Sequence, residues 1–161
     1  MNMLLSPNDI IKKGIISGFF DEDVQKQPNG VDLTIGKLQS ILGDGGEIDF
    51  TNENRHFPTY EDIELPAKIQ PDSYLVQFAE TIRIPKNMFG YFMVRSSLQR
   101  MGEMIFSSGW DSGYEGKGTG LLLATRPVII DERARVGQLV FWKAKSAKLY
   151  EGIHQKEGLK K

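Results

Sequence analysis

Three short stretches of this sequence hold side chains that could do chemistry together. The first is Pro28-Asn29-Gly30-Val31-Asp32-Leu33, where an acid stands between two apolar residues at the start of a strand. Taken alone, Asp32 reads more simply as an inward-pointing turn residue. The second, Val94-Arg95-Ser96-Ser97-Leu98-Gln99-Arg100, sets two guanidinium groups and two hydroxyls at the end of an apolar run. Arginine forks, hydroxyls and the free backbone N–H groups of a helix start make a cradle for phosphate oxygens. A capped helix turn with Ser96 as its cap accounts for the serine but not for arginine at both ends. The third is Ser107-Ser108-Gly109-Trp110-Asp111-Ser112-Gly113-Tyr114-Glu115-Gly116. Glycines around an acid and an aromatic let the backbone approach a ligand closely, and a ring offers a platform for a sugar or base. As a plain hairpin this stretch lacks the alternation that would bury Trp110 and Tyr114 together. Each stretch is a weak signal alone, and their order in one small chain is a strong one.

The elements that must position these residues are short. Ser6-Pro7-Asn8-Asp9 is a helix start, with a hydroxyl at the cap, proline in the first turn and an acid behind it, and the helix is expected to end near Gly14. Beyond it, turn formers such as Pro28-Asn29-Gly30, Gly43-Asp44-Gly45-Gly46, Pro66, Pro71, Pro85 and the glycines between 102 and 120 cut the chain too often for helices. The runs between them, 73–78, 89–94 and 136–142, are aromatic and β-branched and read as strands. Many short strands without alternating long helices predict an all-β sandwich or jelly roll with one short N-terminal helix. With 161 residues, one domain is expected. Residues 151–161 are polar and aperiodic and are expected to be mobile unless a ligand orders them.

Composition removes several functional classes. Twenty Lys and Arg against 21 Asp and Glu leave a formal net charge of -1, so counterion release gives no support to a polymeric nucleic-acid partner. No apolar run approaches the length that crosses a bilayer, so no membrane partner is expected. The first residues lack a basic region leading into an apolar stretch and are not expected to be a signal peptide; with no cysteine as well, the expected location is cytoplasmic. His56 and His154 are the two histidines, and neither has a second ligand at zinc spacing, so a metal here should be a hard one held through oxygen, such as Mg2+.

The ordered set Gly30-Val31-Asp32-Leu33, Arg95-Ser96-Ser97-Leu98, Trp110-Asp111-Ser112-Gly113-Tyr114-Glu115-Gly116 and Val136-Gly137-Gln138-Leu139-Val140-Phe141 resembles the dUTPase and dCTP deaminase superfamily, with a third motif most similar to archaeal-type dUTPases. The resemblance runs from about residue 4 to about residue 155. It implies a distorted jelly-roll β-barrel, a homotrimer with active sites shared between subunits, dUTP as substrate, and Mg2+. It implies that Asp111 activates the attacking water with Gln138 nearby and that Asp32 holds the metal's water shell. Arg95, Ser96, Ser97 and Arg100 match the phosphate cradle. Tyr114 matches the ring that packs on deoxyribose, and Trp110 stands beside it.

Two departures mark the chain. The glycine-rich, arginine-bearing fifth motif of common trimeric dUTPases is absent, and Tyr150-Glu151-Gly152-Ile153-His154-Gln155 stands in its place. This is similar to the deaminase tail, which implies that Tyr150 and Gln155 close over the triphosphate and leaves His154 as a solvated residue. The expected division is therefore a β domain over 1–149 and a closing tail over 150–161. Trp110 also precedes Asp111 directly, where deaminases have one more residue. The deaminating branch carries a proton-shuttling glutamate where this chain has Leu121, and leucine transfers no proton. Hydrolysis of dUTP to dUMP and pyrophosphate is the expected activity. The alternatives are a bifunctional deaminase, with Glu115 as the nearest substitute acid, a non-catalytic nucleotide-binding homologue, and a structural jelly roll of the capsid type.

Overall fold

The computed structural model describes residues 4–159. In chain order the elements are α1 (Pro7–Lys12), β1 (Ile16–Ser17), α2 (Glu22–Gln25), β2 (Val31–Leu42), β3 (Thr59–Ile63), β4 (Ala67–Ile69), β5 (Asp72–Phe78) and β6 (Thr81–Arg83), then β7 (Met88–Val94), α3 (Ser96–Met101), β8 (Glu103–Phe106), β9 (Glu115–Gly116), β10 (Thr119–Ala124), β11 (Val128–Ile130) and β12 (Arg135–Lys143). The helix cap expected at Ser6 forms, its hydroxyl accepting from the Asp9 amide. The second helix was not expected. It is a single turn capped by Asp21 that local sequence does not advertise.

The main sheet runs β7-β12-β2-β5-β10-β8, with β3 pairing the outer half of β2, and all of its pairings are antiparallel. It curls until its ends meet. Gly90 on β7 and Trp110, beyond β8, exchange both backbone hydrogen bonds at 2.9 and 3.0 Å, which all but closes the sheet into a barrel. A side chain at Gly90 would sit 2.8 Å from the Phe141 ring and 3.0 Å from Trp110 Cβ, so only glycine lets the two edges come this close. Inside, Phe78 packs on Phe92 and Trp110 with centroids 5.1 and 6.0 Å apart, over Leu33, Leu38, Leu139 and Phe141. The all-β barrel with a short N-terminal helix is the architecture expected from the sequence.

The tail departs from expectation. Residues 150–159 fold back on the segment 112–117 through the Tyr150 amide to Ser112 O, the Lys156 amide to Glu115 O and the Lys117 amide to Glu157 O. Its composition suggested mobility because it carries little apolar surface, but backbone hydrogen bonds hold it instead.

Glu103, at the start of β8, is buried with neither carboxylate oxygen partnered among the described residues. Leaving a buried polar group unsatisfied costs about 1–3 kcal/mol. Glu103→Met, close in size and able to pack, should therefore raise the thermal midpoint by several degrees, at about 2–4 °C per kcal/mol for a chain of this length. Calorimetry showing a lower midpoint for the variant would mean that the carboxyl is satisfied in solution.

Candidate functional site

The residues singled out by sequence fall into two groups within one chain. The first forms where β2 and β12 lie side by side, with Asp32 directly opposite Gln138. Asp32 is 2% exposed; Arg135 Nη1 lies 3.2 Å and Arg95 Nε 3.7 Å from its Oδ2. Burial pushes the carboxyl above the ordinary value of 3.8, against the opposing pull of Arg95, Arg135 and Gln138. The place of Asp32 is fixed from behind by Glu80, which is fully buried. Its carboxylate accepts from Gln25 Nε2 at 2.7 Å, the Thr34 hydroxyl at 2.7 Å and the Thr34 amide at 3.0 Å, while the same Gln25 amide donates to Asp32 O. This network docks α2 against β2.

Next to this group, α3 begins at Arg95, which takes the cap position without a side-chain cap bond. Ser96 is therefore not the cap. The Ser96 and Ser97 side chains and that of Arg100 are exposed, and both hydroxyls are free of hydrogen bonds among the described residues. Arg95, Ser96, Ser97 and Arg100 thus stand on one short element beside Asp32 and Gln138.

The second group surrounds a cavity of about 320 Å³ lined by Ser107, Ser108, Trp110, Asp111, Tyr114 and the tail residues Tyr150, His154 and Glu157, among others. Trp110 and Tyr114 are both buried, against the expectation for a plain hairpin. Their rings meet edge to face at 5.4 Å, and Tyr150 meets Tyr114 the same way at 5.5 Å. The indole N–H donates to Ser107 Oγ at 3.1 Å. Burial raises the Tyr114 phenol, with Glu157 and Tyr150 adding to it, and the hydroxyl lies near the Gly118 backbone without a hydrogen bond of normal geometry. Asp111 keeps its carboxylate exposed at the rim with no ion-pair partner among the described residues. The following Ser112 is buried and tied to both Met88 backbone groups and to Ser146, which pins the turn that presents Asp111.

From Gly90, which pairs with Trp110, the chain advances about 17 Å to Arg95 at the usual strand rise. The structure therefore brings Asp32, Gln138, Arg95, Ser96, Ser97 and Arg100 together, and brings Trp110, Asp111, Tyr114 and Tyr150 together, but keeps the two groups apart in one chain. Gln155 belongs with the second group, though not as an open ligand. Its side chain accepts from the Glu115 amide and donates to Gly113 O, both at 2.9 Å. His154 is exposed, as expected of a solvated residue, and its ring stands 5.9 Å from that of Phe57 at the border of the cavity.

A family model described as dCTP deaminase-like matches residues 8–144. The chain belongs to the dCTP deaminase-like family. Among curated members, a deoxyuridine 5'-triphosphate nucleotidohydrolase of Methanocaldococcus jannaschii is 38% identical over 154 residues, covering 91% of this chain and 98% of that one. A probable enzyme of the same name from Aeropyrum pernix is 33% identical over 164 residues, covering 98% of this chain and all of that one. In fold, the chain is similar to a 2'-deoxycytidine 5'-triphosphate deaminase from Agrobacterium tumefaciens, with a TM-score of 0.67 at 20% identity over 86% of this chain; it spans 46% of that longer one.

Sequence reasoning did not single out Arg135, Glu80 or Glu157. Arg135 and Glu80 act through strand pairings distant in sequence, and no local pattern announces them. For a metal, no three His, Cys, Asp or Glu side chains converge among the described residues, so an all-protein cage is not built here. A magnesium ion that keeps its waters and arrives chelated by phosphates needs little more than one carboxylate, and the donor set fits that case.

Because folding raises the Asp32 carboxyl above its unfolded value, its stabilising contribution is present at acid pH and is lost as pH rises through its folded value. Asp32→Asn, neutral throughout, should gain thermal stability relative to the parent as pH is raised from about 3 to 7. Melting curves in which this advantage shrinks with rising pH would mean that the arginine pairs outweigh burial.

Proposed function

We propose that the chain hydrolyses dUTP to dUMP and pyrophosphate. The observation that carries this reading is the rim carboxylate of Asp111 beside the Tyr114 and Tyr150 rings, in a chain that aligns almost end to end with curated relatives named for dUTP hydrolysis. In this reading Tyr114 packs on the deoxyribose, where a ribose hydroxyl would have no room, and the base enters the cavity bounded by Ser107 and Ser108. Asp111 takes a proton from a water as its oxygen bonds to the α-phosphorus. The bond from that phosphorus to the bridging oxygen breaks, and pyrophosphate leaves. Such chemistry needs chiefly positioning and charge neutralisation. Mg2+ chelated by the three phosphates would supply neutralisation and polarise the phosphorus, with Asp32 facing its water shell. Arg95, Arg100, Ser96 and Ser97 would hold phosphate oxygens, and Gln138 would help orient the water.

These roles require both groups at one substrate, so the working form is proposed to be a homotrimer in which each site joins the Asp32 group of one subunit to the Asp111 group of another. The exposed apolar side chains Phe106, Leu121 and Leu123, two of them cross-strand partners on β8 and β10, suit burial against another copy. The tail, residues 150–161 of the sequence, is proposed to cover the bound nucleotide and the protein to work in the cytoplasm. No helix among the described residues is long and apolar enough to cross a membrane.

Deamination of dCTP is disfavoured on two counts. Leu121 carries no proton, and Glu115, the substitute acid, is pinned between Lys156 and Arg83, which hold its carboxyl below the ordinary range. A binding-only homologue is disfavoured by the exposed Asp111, since a carboxylate beside three phosphates weakens binding unless it does chemistry.

The test is pyrophosphate release from dUTP with magnesium, run beside Asp111→Asn. The variant should bind dUTP and lose two to three orders of magnitude in turnover, about 3–4 kcal/mol of transition-state stabilisation. A variant as fast as the parent would remove Asp111 from the mechanism, and a parent inert on dUTP would remove the function.

A further inference from the structure

The tail turn has two sides. Gln155 and Lys156 face the chain's own hairpin, the first through its bidentate amide and the second through its amide to Glu115 O and its ammonium to the Glu115 carboxylate. His154 and Glu157, three apart and joined by a backbone hydrogen bond from the Glu157 amide to His154 O, face the cavity instead. Lys156 adopts a left-handed φ of 68°, uncommon for a side chain of its size, which turns the chain so that the residues on either side of the anchors point inward. Glu157 is fixed further by accepting the Lys117 amide at its carbonyl. The two cavity-facing side chains form a loose pair, His154 Nδ1 standing 3.7 Å from Glu157 Oε1, too far for a hydrogen bond between them. The side chains of His154 and Glu157 are 46% and 24% exposed, and Glu157 lies close enough to Tyr114 to raise its phenol.

A carboxyl oxygen and an imidazole side by side, each lacking a side-chain hydrogen-bond partner among the described residues, offer an acceptor next to a donor, because a histidine ring carries at least one N–H in either tautomer. Uracil presents the complement, a donor at N3 beside an acceptor at O4. Cytosine presents the reverse, an acceptor at N3 beside an amino donor. We propose that Glu157 and His154 read this edge of the base, Glu157 accepting from N3–H and His154 donating to O4, and so select uracil over cytosine. The inference rests on the dUTP reading above and adds to it residues that read the base. The cavity supports it by placing the pair in the same space as Tyr114, the ring assigned to the sugar, so a base continuing from that sugar meets the tail turn.

A mismatched base loses both hydrogen bonds to the pair and sets donor against donor and acceptor against acceptor. The experiment is steady-state pyrophosphate release from dUTP and from dCTP by the parent, Glu157→Gln and His154→Ala, with circular dichroism to check folding. Glutamine keeps the size of Glu157 and adds an N–H that cytosine can use. The parent should prefer dUTP. Glu157→Gln should lower the dUTP to dCTP ratio of kcat/KM at least about tenfold. His154→Ala should lower the ratio in the same direction and gives an independent reading should Glu157→Gln fold poorly. A ratio unchanged in a folded variant overturns the inference while leaving dUTP hydrolysis in place. Uracil nucleotides formed from dCTP by the parent and lost in Glu157→Gln would also overturn it, making Glu157 a proton shuttle. A parent inert on dUTP overturns the functional reading itself.

Discussion

The paired backbone hydrogen bonds between Gly90 and Trp110 are the constraint on which the rest of the structure depends. They join the first strand of the main sheet's path to the segment beyond its last, so the same contact that all but closes the barrel also sets the residue after Trp110. Trp110 reaches inward to Phe78, and Asp111, one residue on, is left at the surface. The reacting carboxylate proposed for this chain is thus carried on the closure of the core and inherits its rigidity. A site built on such an element needs no separate scaffold, because a side chain held by strand pairing is placed more closely than one on a free loop.

The second group is organised by charge. Asp32 lies inside the protein where water cannot stabilise it, and it remains tolerable because two guanidinium groups and an amide converge on it. Burial outweighs them, so the carboxyl is raised above its ordinary value. Glu80, a few ångströms behind, is resolved differently, with hydrogen bonds to Gln25 and Thr34 and no ion pair. One buried acid is held by neutral hydrogen bonds and the other by two arginines, which keeps the second beside groups that could also face a phosphate.

The barrel was largely legible in the sequence because its strands are marked by local composition and broken by glycine and proline. The runs 73–78, 89–94 and 136–142 fall inside β5, β7 and β12. The Ser6 cap was legible for the same reason. The helix at 22–25 was not, since a single turn held by Glu80 from 55 residues away has no signature of its own. The site divides likewise. Asp32, Arg95, Asp111 and Tyr114 stand in short ordered motifs and could be named from them. Arg135 and Glu157 take their places through contacts distant in sequence, which no local pattern announces. The burial of Trp110 with Tyr114 escaped for a related reason: the two rings are brought together by the turn through Ser112 and by Tyr150 across the tail, not by alternation along a strand.

The tail shows how a segment can be ordered and yet easily released. Its attachment includes a few backbone hydrogen bonds, one bidentate amide and one ion pair, from Lys156 to Glu115, and each net hydrogen bond of this kind contributes about 0.5–1.5 kcal/mol while an exposed pair contributes less. The barrel is held by burial of Phe78, Phe141 and the leucines of β2 and β12, which cannot be undone piecemeal. Opening the tail therefore costs far less than opening the sheet, and the two can occur independently. Tyr150 couples them, because its ring packs on Tyr114 while its amide holds Ser112. A nucleotide entering the cavity would meet a wall already shaped but weakly fastened, so part of its binding energy would go into contacts that the tail otherwise makes with its own hairpin. Under the proposed reading of the base, one that leaves His154 and Glu157 unpaired would hold the tail less firmly.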